Sequence, residues 1–420
     1  MFPRIAAVLT LFSLSTFAVD TVQPNEYRQR RAKVRERLVK EKGVLVLFGA
    51  TEDERGGIRS RFFQEANFYY LTGWTEPGAR LLLTADDEFL FLPPRNEIKE
   101  RYTGRKLAPG DTNTTGVANV LNSNRFEVTF FQKLDAAEKI FALLNINKTS
   151  PLKRLTGQRP IEGAAPIIFP LRQIKSPAEL ALIQHSVDIS IKAHRAAWQR
   201  AASGLFEYQI GATMTNVYFE AGCERSSYPP IVGSGPNSTI LHYNRNDRRM
   251  DSGEVLLMDV GGECSMYAAD ITRTIPVNGK FSDRQREIYN VVLGAQRAAI
   301  AAVKPGMRLA KDGENSLHKV AIDYIDKHGR SLKGEPLGKY FTHGLGHHVG
   351  LDVHDPGLPI LPLEPGNVIT IEPGVYIPEE GIGVRIEDML LVTETGAKLL
   401  TGALPSDPEA IEKSLNARQR

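Results

Sequence analysis

Four acidic residues stand inside or at the ends of apolar, strand-like runs in the second half of this 420-residue chain, and no other feature limits its fold as tightly. Asp259 closes the run Val255-Leu256-Leu257-Met258, and Glu372 closes Ile369-Thr370-Ile371. Asp270 lies in Ala269-Asp270-Ile271-Thr272-Arg273-Thr274, and Glu387 in Val384-Arg385-Ile386-Glu387-Asp388. A lone acid in such a place is usually a strand-end cap or a turn residue. Four in one region are harder to dismiss, because burying carboxylates without compensation costs several kcal/mol each. Divalent cations supply that compensation, and a hairpin between Asp259 and Asp270 can bring both carboxylates to one point. His347, in Thr342-His343-Gly344-Leu345-Gly346-His347-His348, adds one imidazole. Four carboxylates against one imidazole form a hard, oxygen-rich donor set, which favours manganese ahead of zinc or copper. With bridging acids, five side chains can hold two ions about 3.5–4 Å apart, the spacing of two-metal hydrolases.

The length is too great for one ordinary core and suits two domains. A balance of 52 basic against 49 acidic side chains leaves a net charge of +3. With no long Lys/Arg run, that gives neither a global nor a local field for nucleic acid. The first 18 residues read as an export signal. Arg4 is the only early charge, Ile5 to Phe17 is uncharged and mostly apolar, and Thr16-Phe17-Ala18 places small residues where a signal peptidase inspects them. Cleavage is expected after Ala18, with a secreted or periplasmic product; a buried N-terminal strand is the alternative. The run is too short for a stable membrane span, and no cysteine follows it for a lipid anchor. Cys223 and Cys264 are the only cysteines. They make no disulfide framework and no cysteine-rich zinc site, and read as two small, partly buried residues, with a single bridge between them left open.

Tyr27 to Lys42 is charged at helical spacing, and Gly43 stands where a C-terminal glycine ends a helix. Val44-Leu45-Val46-Leu47-Phe48 predicts a buried strand. Phe68-Tyr69-Tyr70-Leu71 and Leu81-Leu82-Leu83 are further strand candidates, separated by the turn Thr75-Glu76-Pro77-Gly78. Short strands alternate with helices through about Leu152, which describes a mixed α/β domain over residues 25–165. Proline and glycine then cluster near 159–177. Ser176, Pro177 and Glu179 form a capping box, and Leu180, Ile183, Val187 and Ile191 share one helical face. A second domain is expected over 172–405. It has paired strands from Gly253 to Thr274, helices from Asp283 to His328, and strands at Val368–Glu372 and Gly383–Val392.

Asp259, Asp270, His347, Glu372 and Glu387, with their surroundings, resemble the ligand set of the pita-bread metallopeptidases, the family of methionine aminopeptidase, prolidase and aminopeptidase P. The match runs from about Arg172 to Thr401. Phe62-Phe63-Gln64-Glu65-Ala66-Asn67-Phe68-Tyr69-Tyr70-Leu71-Thr72-Gly73 is similar to the N-terminal domain of aminopeptidase P and related prolidases, which methionine aminopeptidases lack. Tyr228-Pro229, Gly233-Ser234-Gly235 and Ile240-Leu241-His242-Tyr243 resemble its active-site wall. The resemblance implies an α/β (α+β) architecture, a pita-bread catalytic domain behind a mixed α/β domain, and removal of a residue preceding proline from peptide N-termini. It implies a water activated between two divalent ions, with Glu372 as both ligand and proton carrier. His354 and His242 would face the substrate carbonyl and oxyanion, His343 and Tyr228 would line the cleft, and Tyr376 and Arg385 would orient the carboxylates. His348 is read as structural. Two departures stand out: Asn67 replaces an acid that joins the carboxylate-orienting network in some members, and the connection from Glu372 to Glu387 is short.

The expected partners are peptides with proline second, with no nucleic acid, no stable membrane anchor and a homo-oligomeric assembly. The runner-up activity is a prolidase, specific for dipeptides ending in proline. A non-catalytic or metal-free relative is the rival from another class. Ser316-Leu317-His318-Lys319 matches the S-x-x-K pattern of some serine hydrolases but has no supporting motif. Gly344 to Gly350 misses G-x-G-x-x-G and follows no clear strand, so dinucleotide binding is rejected.

Overall fold

Val44 to Phe48 is apolar at every position, which suits a strand with both faces covered. In the computed structural model, which describes residues 22–52, 61–110, 115–144 and 146–417, it forms the strand Gly43–Phe48 inside a six-stranded sheet. The sheet runs Asn119–Asn122, Glu88–Leu92, Arg80–Leu83, Gly43–Phe48, Lys139–Ala142, Ile161–Gly163, with antiparallel pairs in the middle and parallel pairs toward both ends. Alternate side chains go to opposite faces. Val44 and Val46 cluster with Phe91, Phe126 and Phe130, while Leu45 and Leu47 join the core with Val34 and Leu38 of the helix Pro24–Glu41. The leader expected over residues 1–18 lies outside the described residues.

Two local expectations are corrected. The first helix ends on Lys42, whose backbone is left-handed at φ 49°, and Gly43 begins the next strand instead of capping the helix. Its missing Cβ has a packing reason, since one would lie 2.6 Å from the Phe141 ring. Phe68 to Leu71 is helical within Ala66–Thr72 and is not a strand. Glu65 caps it by accepting from the Phe68 N–H at 2.7 Å, and Gly73 ends it at φ 65°. Every residue of this helix is buried, so its apolar content carried no helical period to read.

The second domain opens with the helix Pro177–Arg200. Its capping box is complete: Ser176 Oγ accepts from Glu179 N, and the Glu179 carboxylate accepts from Ser176 N. Against this helix and its neighbours Glu207–Glu220, Asp283–Ala302 and Leu317–His328 lie small antiparallel sheets. One pairs Ile231–Ser234, Val255–Asp259 and Thr272–Pro276; another pairs Val368–Ile371, Asp388–Val392 and Ala397–Leu399. The segment expected as one strand from Gly383 to Val392 breaks at Ile386-Glu387. Ile382–Arg385 pairs with Gly374–Ile377, and Asp388–Val392 pairs with Val368–Ile371. The short connection noted in the sequence is thus a tight hairpin, turned at Gly381 with φ 61°. The terminal helix Pro408–Asn416 buries Ile411 and Leu415 in the same core.

Cys223 and Cys264 are joined by a disulfide, which resolves the open alternative against two separate thiols. They are 41 residues apart, and only the antiparallel pairing of Arg225–Ser226 with Gly262–Cys264 brings them together. The bridge closes a loop that carries Tyr228, His242 and Asp259. Constraining a loop of this length in the unfolded chain is worth about 4 kcal/mol. Reducing the bridge, or the double substitution Cys223→Ser with Cys264→Ser, is therefore expected to lower the melting temperature by roughly 5–10 °C in a calorimetric scan.

Candidate active site

Asp259 ends its strand opposite Thr272 on the neighbouring strand. Between them the chain departs into the smaller sheet of Gly262–Cys264 and Tyr267–Ala268, then doubles back. The return is tight: a Cβ on Gly261 would lie 1.8 Å from the Ala269 carbonyl oxygen, so only glycine fits. Asp270 arrives beside Asp259 as a result. The Tyr228 hydroxyl oxygen lies 2.5 Å from Asp259 Oδ1 and 2.5 Å from Asp270 Oδ1, which shows how closely the two carboxylates approach.

The other three side chains come from strand ends across the cavity and from the His347 segment, which is bridged to Ile369 through His348. Glu372 leaves the strand Val368–Ile371, and Thr370 Oγ1 donates to its Oε1 at 3.1 Å. Glu387 sits at the break between two strands, and its Oε2 accepts from Thr272 Oγ1 at 2.7 Å. His347 Nε2 lies 3.4 Å from both Asp270 Oδ2 and Glu372 Oε1. Its Nδ1 is 3.1 Å from the His348 carbonyl oxygen, an arrangement that places N–H on Nδ1 and directs Nε2 at the acids. Asp270, His347 and Glu387 present ligand atoms within 4.8 Å of one another. The glycine before His347 is required, because a Cβ on Gly346 would lie 2.0 Å from the Thr370 carbonyl oxygen. This close packing on a strand explains the glycine-rich segment without any nucleotide.

The electrostatics are those of an anionic cluster short of positive charge. Burial, then repulsion from Asp270, Glu372 and Asp259, pushes the Glu387 carboxyl well above its usual range. Burial also raises Asp259 and carries Glu372 up to about 7. His347 is also raised, here against its burial: Asp270 and Glu372 hold it protonated up to about 9. Among the described residues Arg385 is the one guanidinium lining the site, and its Nη2 donates to Asp259 Oδ2 at 2.7 Å. Four buried acids facing one arginine and one imidazole fit divalent cations, by charge and by the hardness of the donors.

Around this centre runs a directed hydrogen-bond chain. Arg385 Nη1 donates to Tyr376 Oη at 2.8 Å, Tyr376 Oη donates to His343 Nε2 at 2.8 Å, and His343 Nδ1 donates to the Gly344 carbonyl at 2.8 Å. That order needs a neutral His343, and burial together with Arg385 lowers its pKa to about 3. The five acidic and imidazole side chains open into a cavity of about 470 Å³, also lined by Tyr228, His242, His343 and His354. The His354 ring stacks edge-on against His347 with centroids 4.2 Å apart. Ile231, Leu241 and Val353 supply apolar wall.

Ten of the eleven site residues expected from sequence therefore line one cavity, and the eleventh, Tyr376, sits behind it on Arg385 and His343, but several details differ. Tyr228 sets its hydroxyl between both aspartates, sharing its one proton with them, beyond the wall role expected of it. Asn67 does not join the Arg385–Tyr376 network. Its Oδ1 accepts from Arg172 Nη1 at 2.8 Å, and Arg172 in turn binds Asp352 and Asp355 on either side of His354. Thr272 and Thr370 were missed as partners of Glu387 and Glu372; a buried threonine beside a ligand on the same strand is the only signal they give. His348 is buried with its ring packed over Gly357. Ser316 is a helix N-cap, accepting from the Lys319 N–H at 2.9 Å, which disposes of the serine-hydrolase motif.

Comparison with known proteins agrees with this geometry. Residues 181–394 match the model of metallopeptidase family M24, and residues 27–141 match the aminopeptidase P N-terminal domain. The chain is 36% identical to a Xaa-Pro aminopeptidase of Haemophilus influenzae, over 93% of this chain and 97% of that protein. The structure of E. coli aminopeptidase P with the inhibitor Pro-Leu superposes with a TM-score of 0.86 at 30% identity, covering 95% of this chain and 99% of that one. A zinc-substituted form of the same enzyme in complex with product gives the same TM-score of 0.86 and 30% identity, over 95% and 100% of the two chains. The chain belongs to metallopeptidase family M24, with an aminopeptidase P N-terminal domain ahead of its pita-bread peptidase domain.

Proposed function

We propose that the enzyme hydrolyses the bond between an N-terminal residue and a following proline, releasing that residue from peptides. The observation that carries this reading is one cavity in which Asp259, Asp270, His347, Glu372 and Glu387 converge beside His242, His343 and His354. The five would hold two divalent ions, with manganese favoured by the excess of carboxylates. Bound there, the ions supply Lewis acidity that polarises a carbonyl and brings the pKa of water toward neutrality. The rest is work for the chain's own groups. Glu372, fixed by Thr370 on one oxygen, takes the proton of the attacking water and returns it to the proline nitrogen as the C–N bond breaks. His354 and His242 donate to the carbonyl oxygen as charge develops on it. Arg385 and Tyr228 keep Asp259 and Asp270 in place. Ile231, Leu241 and Val353 offer apolar wall to the proline ring.

A dipeptidase must grip the free carboxylate of proline, ordinarily with a cation. Among the described residues the one guanidinium lining this cavity, Arg385, is already bound to Asp259 and Tyr376. That favours an aminopeptidase open to the continuing peptide over a prolidase. Export is supported by the leader-like first 18 residues and by the Cys223–Cys264 bridge, a feature of oxidising compartments. Self-association is supported by Leu358, Ile360 and Leu361, all exposed on one short segment.

Three results test these readings. Asp270→Ala and Glu372→Ala are expected to lose turnover by several orders of magnitude and to retain fewer than two ions per chain, whereas His354→Ala should keep its metal while kcat falls about 10²–10³-fold. Activity in either acid variant overturns the site. The same first residue presented in Xaa-Pro and in Xaa-Pro-Yaa-Zaa should give the higher kcat/KM with the longer peptide; cleavage of the dipeptide alone would make the enzyme a prolidase. The third result concerns the metal-free protein. The raised pKa of Glu372 means a stabilising protonation that is complete below its ordinary value and lost as pH rises through about 7. In chelator-treated protein, Glu372→Gln should therefore raise the melting temperature over wild type more at pH 8 than at pH 5. An equal gain at both pH values would show that Glu372 is not held under charge stress.

A further inference from the structure

Outside the cleft, on the buried side of helix Pro177–Arg200, three polar side chains repeat at a four-residue step: Ser186, Ser190 and His194, each fully buried. All three meet the backbone of Val260 to Ile271, the stretch that carries the chain from one site aspartate to just past the other. Ser186 Oγ donates to the Tyr267 carbonyl at 2.8 Å, and Ser190 Oγ accepts from the Gly262 N–H at 2.9 Å. His194 Nε2 lies 3.2 Å from the Val260 carbonyl oxygen and 3.1 Å from that of Ile271. Both partners are acceptors, so Nε2 carries the proton and shares it between them. Val260 follows Asp259, and Ile271 follows Asp270.

We infer that His194 is a positioning residue for the metal site, acting through the carbonyl groups next to Asp259 and Asp270. The direct link between these strands at this level is one bond, Val260 N to Ile271 O at 3.1 Å. The His194 N–H adds a second tie at the same point, from a helix that touches neither carboxylate. The cost is visible on the same ring: Nδ1 is buried without a hydrogen-bond partner. An unpaired buried nitrogen is expensive, and a leucine of similar volume would avoid it, so a purely packing role does not account for the imidazole. Two carboxylates that must meet the same ions need their strands fixed to within a few tenths of an ångström. A shared donor between the adjoining carbonyls sets that separation.

This inference rests on the divalent-metal reading, and the test separates the two. The probe is manganese, bound to the full chain and displaced by a competing chelator. Alongside affinity, kcat, KM and the melting temperature of the metal-free protein are measured. His194→Leu removes the donor and keeps the volume; His194→Gln keeps an N–H at similar reach. His194→Leu is expected to bind manganese about 10–100-fold more weakly, with kcat reduced at saturating metal and KM changed by less than about threefold. His194→Gln should recover most of both losses. Manganese affinity in His194→Leu equal to wild type overturns the inference, as does a glutamine variant damaged as badly as the leucine one. If His194→Leu does not fold, His194→Asn, whose amide is too short to span both carbonyls, replaces it under the same two outcomes. A wild-type protein that binds no manganese defeats the metal reading and this inference together, and does so before any substitution is made.

Discussion

Repulsion among Asp259, Asp270, Glu372 and Glu387 is the interaction around which the second domain is organised. All four are buried or nearly so: burial and the charge of Asp270 raise Asp259, Glu372 and Glu387, while His347 and Tyr228 hold Asp270 itself below its usual range against its burial. A fold that tolerates this must hold the carboxylates rigidly enough to offer them to cations and must keep water from relaxing them apart. Each acid accordingly has a neutral or cationic neighbour fixed to the backbone: Tyr228 and Arg385 at Asp259, His347 at Asp270, Thr370 at Glu372, Thr272 at Glu387. Such outer contacts fix ligand orientation, which for a two-ion centre matters as much as the ligands themselves.

The backbone is held with similar care where the strand carrying Glu387 breaks. Arg273 is fully buried; its Nη1 donates to the Glu387 carbonyl at 2.6 Å and its Nη2 to Asp388 Oδ1 at 2.7 Å. Gln296 donates to the other Asp388 oxygen at 2.7 Å. A buried ion pair adds little net stability over a packed apolar pair, and losing one member leaves the other unpaired and costly. Its use here is geometric: it fixes the turn between two strands that pair in different sheets, so that Glu387 points into the cavity. The Arg385–Tyr376–His343 chain does the same for the opposite wall and fixes the His343 tautomer as well.

The ligand set was legible in the sequence because buried acids on apolar strands are costly enough to demand a reason. The strand around Val44 was legible because burial on both faces leaves an unbroken apolar run. The Phe68–Leu71 helix was not, since a segment buried all round has lost the period that separates helix from strand. Its deciding features are the cap on Glu65 and the left-handed Gly73. The Cys223–Cys264 bridge was open in the sequence because a separation of 41 residues says nothing about strand pairing. Tyr228 was placed on the right wall for a partial reason: its ring lines the cleft, but its hydroxyl serves the aspartates. Buried polar residues on the inner face of helix Pro177–Arg200 escaped notice because they share that helix with a conventional apolar stripe.

Asn67 shows how the N-terminal domain reaches the chemistry without lining the cavity. Its carbonyl oxygen accepts from Arg172, a buried guanidinium in the helix Ala165–Gln173 just before the peptidase domain. Arg172 and Lys175 together satisfy the Asp355 carboxylate, with the Lys175 bond at 2.9 Å, and both cations hold Asp355 below its usual range against its burial. Asp355 directly follows His354. The loop that presents His354 to the cleft is therefore anchored from beneath by charges on the segment between domains, and one of those charges is oriented by the first domain. Where an acid would place a third charge against Arg172, asparagine offers a neutral acceptor and gives its own amide protons to Glu65 at 2.8 Å. Arg172 is thereby left to two aspartates, and the bonds that steady His354 do not compete with a carboxylate from the other domain.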